Sequence, residues 1–356
     1  MRAKLDNISI VGVSAAVSNK WTPLLSFQDE DLDEKTIKKF SKQTGVIGRY
    51  DAGERQTSAD LCYSAAKELI TSKNIDVHEI GVVILVTQTP DYKSPSSACV
   101  IQGRLGLDDS CLAFDINLGC SGYTNSIMVA GSLLKSVVDK PLALLLCGDT
   151  CAKGRAGYYN SKTSNASKML LGDCGTATLL RVSPEECKIL AASYTRGTEF
   201  NKIISPYLGF RHPVIKDDGK GEDRMDDIEV FNFATTEAPK VIQEVMASAG
   251  ATPDDYDCLV LHQANLMIMK RIAKLTGFSE DKLLVSIDEF ANTASATIPT
   301  TLVKKYGETN QHKALRCLMC GYGVGLSWSA VDCLVNEDDI IPLVHTDEYF
   351  DDGYYE

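Results

Sequence analysis

Three short segments carry side chains that could do nucleophilic chemistry together. In DINLGCSGY (Asp115–Tyr123), Cys120 stands between Gly119 and Gly122, after a run that reads as a strand and before one that reads as a helix. A thiol at such a corner lies at the positive end of a helix, beside unpaired backbone N–H groups. Both favour the nucleophilic thiolate. The glycines would let the backbone turn sharply and a substrate come close. A thiol nucleophile also needs a positioned base or an electrostatic partner. Of five histidines, His78, His212, His312 and His345 sit in polar or loop-like contexts expected at the surface. His262 differs: it ends the apolar run DCLVL and opens HQANL ahead of a helix. That is the carboxyl end of a strand, where open α/β sheets place ligands. A core-edge histidine satisfied by backbone is the plainer reading of the same position. The third segment is FANTASATIP (Phe290–Pro299), in which Asn292 follows the strand-like run KLLVSI. Alone it would be a turn or cap residue. Its interest is that it joins Cys120 and His262 on the same kind of strand end.

The elements that must position these residues alternate. Short apolar runs give way repeatedly to helix-period segments, the pattern of an α/β fold. ISIVGVS, GVVILVTQT, CLAFDIN, PLALLLCGDT, GTATLLRV and KILAASYTR read as strands of a first half. Helices are expected over Ser58–Ser72, Ser96–Gly106 and GYTNSIMVAGSLLKS. An irregular stretch from Gly197 to about Asp227 follows, of a length often found in lids or channel walls. The second half repeats the order: helix DIEVFNFATTEAPKVIQEVMASAG, strand DCLVLH, helix ANLMIMKRIAKLTG, strand KLLVSI, a helix around TIPTTLVKKYG, then strands ALRCLMCG and GLSWSAVDCLV. This is an internal structural duplication in order of elements, without visible sequence repetition. The expected divisions are 1–180, holding the cysteine, 181–335, holding the histidine and asparagine, and an acidic tail, 336–356, expected to be solvated or loosely docked.

Composition bounds the function. With 356 residues, 44% hydrophobic and 24% charged, the chain reads as a globular protein larger than a single core. A net charge of -12 disfavours nucleic acid and anionic membranes as partners. No run approaches the roughly 20 apolar residues of a membrane span. The N-terminus lacks a signal-peptide pattern. Twelve cysteines, several of them inside apolar runs, then fit a reducing cytoplasm with free thiols. Cys317 and Cys320 form a C-x-x-C without a second pair, so core packing is expected there rather than a metal. GYGVG leads into strand-like GLSWSAVDCLV, which does not suit dinucleotide binding.

DINLGCSGY, LVLHQANL and FANTASATIP, in this order and spacing, resemble the active-site motifs of the β-ketoacyl-[acyl carrier protein] synthase III family of the thiolase superfamily. SPSSACVIQGRLG, LLGDCGTATLL and GYGVGLSWSAV resemble it too, so the likeness runs from about residue 5 to about residue 335. The resemblance implies the thiolase fold, two similar α/β halves in a five-layer αβαβα arrangement, usually a homodimer. It makes Cys120 the acyl-accepting nucleophile. His262 and Asn292 become the pair that stabilises the enolate left when a malonyl thioester loses CO2. The backbone N–H groups of Cys120 and Val324 form the oxyanion hole, and Ser94, Phe210, Gln263 and Gly323 line the substrate site. Acyl carrier protein or coenzyme A thioesters are the substrates, with no metal or other cofactor. A His–Asn pair sets the chain apart from chain-elongating synthases with two histidines and from thiolases with a second cysteine.

The chain also departs from this family. Lys39 and Gln43 stand where an Arg and a Trp commonly clamp the coenzyme A adenine, which puts that donor in doubt. Met267 and Asn232 replace basic residues that often meet the carrier protein, with Lys270 and Arg271 one turn on as possible substitutes. Ser94 precedes the SPSSAC proline where a bulky aromatic often crosses the dimer and shortens the acyl tunnel, so a more open or longer acyl pocket is expected. These departures suggest a specialised fatty-acid, polyketide or related acyl pathway. Two rivals stand: an acyltransferase of the same fold that works without condensation, and a non-catalytic partner subunit, which would not need an intact Cys120, His262 and Asn292.

Overall fold

The apolar runs become two sheets. The computed structural model describes residues 1–29, 32–136, 139–152, 165–183, 187–214 and 224–354. The first sheet orders as β15 (Val344–His345), β2 (Ile8–Val17), β8 (Asp173–Val182), β7 (Leu142–Thr150), β5 (Ile80–Val86) and β6 (Leu112–Ile116). The second orders as β1 (Arg2–Asp6), β9 (Lys188–Thr195), β14 (Ser327–Asn336), β13 (Ala314–Gly323) and β12 (Cys258–Leu261). Two small ribbons lie outside them: β3 (Trp21–Pro23) with β4 (Gly48–Tyr50), and β10 (Ile203–Ile204) with β11 (Arg224–Met225). Part of the irregular stretch expected after Gly197, namely 215–223, lies outside the described residues.

The duplication read from element order is visible strand by strand. β5 runs parallel to β7, which is antiparallel to β8, itself antiparallel to β2. In the second sheet β12, β13, β14 and β9 repeat that pattern of one parallel and two antiparallel pairings. IGVVILV of β5 and CLVL of β12 are buried along their whole length, as strands covered on both faces must be.

Three apolar clusters divide the molecule into layers. One lies between the sheets and includes Tyr123, Ile127 and Leu134 of the helix Gly122–Leu134 with Ile298, Leu302 and Val303 of the helix Thr297–Tyr306. A second packs the helices Ser58–Ser72 and Ser97–Arg104 on the outer face of the first sheet. The third packs the helices Asp227–Ala249 and Leu266–Thr276 on the outer face of the second. Helix, sheet, paired helices, sheet, helix: this is the five-layer αβαβα thiolase arrangement.

Three segments behave differently from expectation. KLLVSI forms no strand; only Leu283 makes an isolated bridge, to Leu259. The cause is Gln263, whose amide donates to the Leu261 and Leu284 carbonyls and accepts from the Ser286 and Ile287 N–H groups. One side chain thus takes the hydrogen bonds a ladder would have used. β1 lies within 1–180 but pairs with β9 in the second sheet. The acidic tail, in turn, adds β15 to the edge of β2 and then crosses the start of the helix Ser58–Ser72. There Phe350 N–H donates to Asp60, the Tyr92 hydroxyl donates to Asp352 at 2.6 Å, and Arg104 sits 4.8 Å from the Phe350 ring. Its acids and aromatics meet Arg55, Lys67 and Arg104, which gives the segment partners that composition alone hides.

Candidate active site

Cys120 follows β6 and stands two residues before the helix Gly122–Leu134. The Gly122 N–H donates to the Gly119 carbonyl at 2.7 Å, closing the corner. Neither glycine has a left-handed φ; what each position lacks is room. A Cβ on Gly122 would fall 2.4 Å from Val86 Cγ1, and one on Gly119 would fall 2.3 Å from Gln88 Oε1. The corner is fixed to the second half of the molecule through Ser121, whose hydroxyl lies 2.6 Å from that of Ser327 on β14.

The end of β13 forms the wall facing the thiol. A Cβ on Gly323 would lie 2.7 Å from Cys120 Cβ and 2.8 Å from its Sγ, so glycine there is a matter of space for the nucleophile. The backbone of Val324 and of Cys120 itself favours the thiolate, as the expected oxyanion-hole donors would. Burial nevertheless wins. Although Cys120 keeps some exposure, its surroundings push the thiol up to about 11, with Asp149 adding to the rise. This differs from the thiolate-favouring helix end anticipated from sequence, because desolvation outweighs two backbone donors. The sign is testable. Below a raised pKa the reactive thiolate is the minor form, so its fraction should climb roughly tenfold per pH unit. Iodoacetamide labelling of Cys120, followed by peptide mapping from pH 7 to 10, is expected to show that climb; a plateau already reached at pH 7 would contradict it.

His262 continues β12, its N–H donating to the Cys320 carbonyl at 2.9 Å. The ring is buried, with Nδ1 2.8 Å from the Thr297 hydroxyl oxygen and the Tyr322 ring packed edge-on at 5.6 Å. Burial pushes the imidazole down to about 3, against an opposing push from the Ala294 backbone, so the ring is neutral at ordinary pH. Asn292 is held by its backbone: its N–H donates to Leu170 O and its carbonyl accepts from Gly172 N–H. Its Oδ1 accepts from Ala294 N–H at 2.9 Å, which leaves the NH2 group with no hydrogen bond among the described residues. Ala294 therefore touches both His262 and Asn292, and Cys120 is linked to His262 through adjacent residues of β13. Cys120 meets Gly323, Tyr322 meets His262, and Ala294 joins His262 to Asn292.

The remaining candidates are placed otherwise. Gln263 is fully buried and its amide has all four hydrogen bonds inside the protein, leaving no capacity for a substrate. Phe210 is 95% exposed, with Lys93 over its ring. Ser94 is exposed too. Met267 and Asn232 are exposed, while Lys270 is engaged by Glu280 at 2.8 Å. Sequence reading missed Thr297, Tyr322, Ser295 and Asp149. Asp149 had a usable signal: like His262, it is a polar residue closing an apolar strand. Among the described residues no group of His, Cys, Asp or Glu could hold a metal ion, and no helix is long and apolar enough to cross a membrane.

Comparison with known proteins bears on the whole chain. Residues 114–197 match the family model 3-oxoacyl-[acyl-carrier-protein (ACP)] synthase III, and residues 246–333 match the C-terminal model of the same name. The chain is 30% identical over 296 residues to a β-ketoacyl-[acyl-carrier-protein] synthase III of Latilactobacillus sakei, covering 81% of this chain and 88% of that one. It is also 30% identical over 317 residues to the protein of that name from Clostridium perfringens, covering 87% and 95%. The crystal structure of a 3-oxoacyl-(acyl-carrier protein) synthase from Burkholderia xenovorans superposes with a TM-score of 0.90 at 30% identity, covering 97% of this chain and 99% of that chain.

Proposed function

Because the chain belongs to the 3-oxoacyl-[acyl-carrier-protein] synthase III family, a family of condensing enzymes, we propose that it performs a decarboxylative Claisen condensation with Cys120 as nucleophile. The observation that carries the reading is the grouping of a thiol, a neutral buried imidazole and an amide with a free NH2 around one set of neighbours. In the first half-reaction Cys120 Sγ attacks an acyl thioester. The carbon–sulfur bond to the carrier breaks, the carrier leaves as a thiol, and the acyl group stays on Cys120. The Cys120 and Val324 N–H groups meet the oxyanion, the kind of donor whose loss typically costs about 10²–10³ in rate.

In the second half-reaction a malonyl thioester loses CO2, and its carbonyl oxygen becomes an enolate oxygen. His262 and Asn292 donate to it. Donation from His262 Nε2 requires Nδ1 to accept; the Thr297 hydroxyl lies 2.8 Å from Nδ1 and also 3.2 Å from the Ala294 carbonyl, so on this reading its single proton turns to the ring rather than to the carbonyl. The enolate carbon attacks the acyl-Cys120 carbonyl and the Cys120–acyl bond breaks. The thiolate takes up a proton as the β-ketoacyl thioester departs. No step calls on a metal or redox group. The donor is a carrier-protein or coenzyme A thioester, with the carrier protein favoured by the absent adenine clamp at Lys39 and Gln43. A homodimer through the edge of β6 is supported by Leu112, 51% exposed, and by the half-buried Ala113, Phe114 and Ile116. Ser94 in place of an aromatic supports a longer acyl group and a specialised acyl pathway.

Intact-protein mass spectrometry after incubation with panels of acyl-coenzyme A and acyl-carrier-protein thioesters is expected to give a single acyl adduct on Cys120. Malonyl thioester should then release one CO2 per product. Acyl transfer to a hydroxyl or amine without CO2 would replace condensation with simple acyl transfer. A strict acetyl preference would overturn the long-pocket assignment.

A further inference from the structure

We propose that Asp149 is a positioning residue that clamps the Asn292 turn to the Cys120 corner, serving the decarboxylation and carbon–carbon bond-forming half-reaction rather than acyl loading. This inference rests on the function proposed above.

The starting observation is backbone strain. Ala291 and Ala294, on either side of Asn292, have φ of 55° and 49°. Left-handed geometry in a residue with a Cβ costs about 1–2 kcal/mol and persists only where surrounding contacts over-determine it. Asn292 is thus presented by a turn that would relax if released. Backbone bonds to Leu170 and Gly172 hold its middle, and Asn292 Oδ1 holds Ala294 from within. The far side is held by Ser295, which donates to Asp149 Oδ2 through both its N–H, at 3.2 Å, and its hydroxyl, at 2.6 Å.

Asp149 reaches that turn from the other half of the molecule. It is the penultimate residue of β7, completely buried, and its Oδ1 accepts from Gln88 N–H at 2.8 Å and from the hydroxyls of Thr89 and Thr87 at 3.2 and 3.3 Å. Gln88 in turn fills the space against Gly119, next to the nucleophile. All five donors come from two segments: the end of β5, which abuts the Cys120 corner, and the turn that presents Asn292. The carboxylate therefore sets the spacing between thiol and amide.

The choice of an acid is informative. Burial pushes its pKa up, and its charge also pushes the Cys120 thiol up, which a neutral strut would avoid. Only a carboxylate, however, is acceptor on both oxygens. An asparagine would turn an NH2 group towards either Gln88 N–H or Ser295 N–H, donor against donor. One end of the clamp must then let go.

The test separates the half-reactions. Asp149→Asn should load acyl onto Cys120 within about threefold of the parent rate by intact mass. Product and CO2 formation from the pre-acylated enzyme should fall about 10²-fold, the loss expected of a roughly 1 Å misplacement. Ser295→Ala, which removes one of the two Ser295 donors, should fall about tenfold in the same step. Placing Asp149→Asn on an Asn292→Ala background should add little, since the acid acts through the amide. Equal losses in both half-reactions, no loss in condensation, or full additivity with Asn292→Ala would each overturn the proposal. Should Asp149→Asn fail to fold, unchanged condensation in Ser295→Ala does so alone. If the parent enzyme itself takes up no acyl group, it is the functional reading that falls, and the two failures are told apart.

Discussion

Cys120→Ala is expected to leave no acyl adduct on the protein and to lower condensation by roughly 10⁴-fold or more, the scale on which loss of a covalent nucleophile acts in enzymes that work as a unit. Of the other eleven cysteines, eight are buried, namely Cys62, Cys111, Cys147, Cys174, Cys258, Cys317, Cys320 and Cys333. The variant should fold normally, because the shape of the corner depends on Gly119, Gly122 and the Ser121–Ser327 contact rather than on the sulfur. It also keeps His262 and Asn292, so a slow loss of CO2 from malonyl thioester, uncoupled from product, should survive. Mass spectrometry and CO2 release on the same sample check both. If Cys120→Ala left all activity of the native complex unchanged, the non-catalytic partner-subunit reading would gain; an adduct at another cysteine would move the nucleophile.

The legible parts of this molecule were those in which one residue pattern has one physical meaning. The helix expected over Ser58–Ser72 is observed with those limits, because Thr57 and Asp60 form a capping box ahead of a continuous apolar face. The parallel-type runs IGVVILV and CLVL could hardly be anything but covered strands. Cys120, His262 and Asn292 were singled out on the expectation of three strand ends of like kind, which describes His262 after β12 but not Asn292, since KLLVSI forms no strand. Less legible was anything decided by a distant side chain. KLLVSI has strand composition, yet Gln263, some twenty residues earlier, takes its hydrogen bonds. The tail reads as solvent-loving until Arg55, Lys67 and Arg104 are brought beneath it. The ionisation of Cys120 was misjudged for the same reason: a helix end is visible in sequence, whereas the density of atoms around a thiol is not.

His262→Ala and Asn292→Ala should each lower condensation by about 10²–10³-fold while acyl loading of Cys120 stays near the parent rate, since donors aimed at an enolate oxygen matter only where that charge develops. Loading and CO2 release measured separately check the split; a matching fall in loading would make His262 a general base for the thiol instead. The pH dependence offers an independent sign. His262 is driven by burial from an ordinary value of 6.5 down to about 3, so between those limits the unfolded chain binds more protons than the folded one. Its contribution to stability is present above about pH 6.5 and drains away as the pH falls towards 3, at up to about 1.4 kcal/mol per pH unit. Thermal melts of the parent should therefore decline through this window, and His262→Gln should flatten part of the decline. Because the ring is already neutral across it, condensation by the folded enzyme should show no imidazole limb near pH 6.5. An acid limb at that value would mean that the ring titrates during turnover and is no fixed neutral donor. The same burial that makes His262 a liability in acid keeps its ring neutral, as the proposed donation of an N–H to the enolate requires.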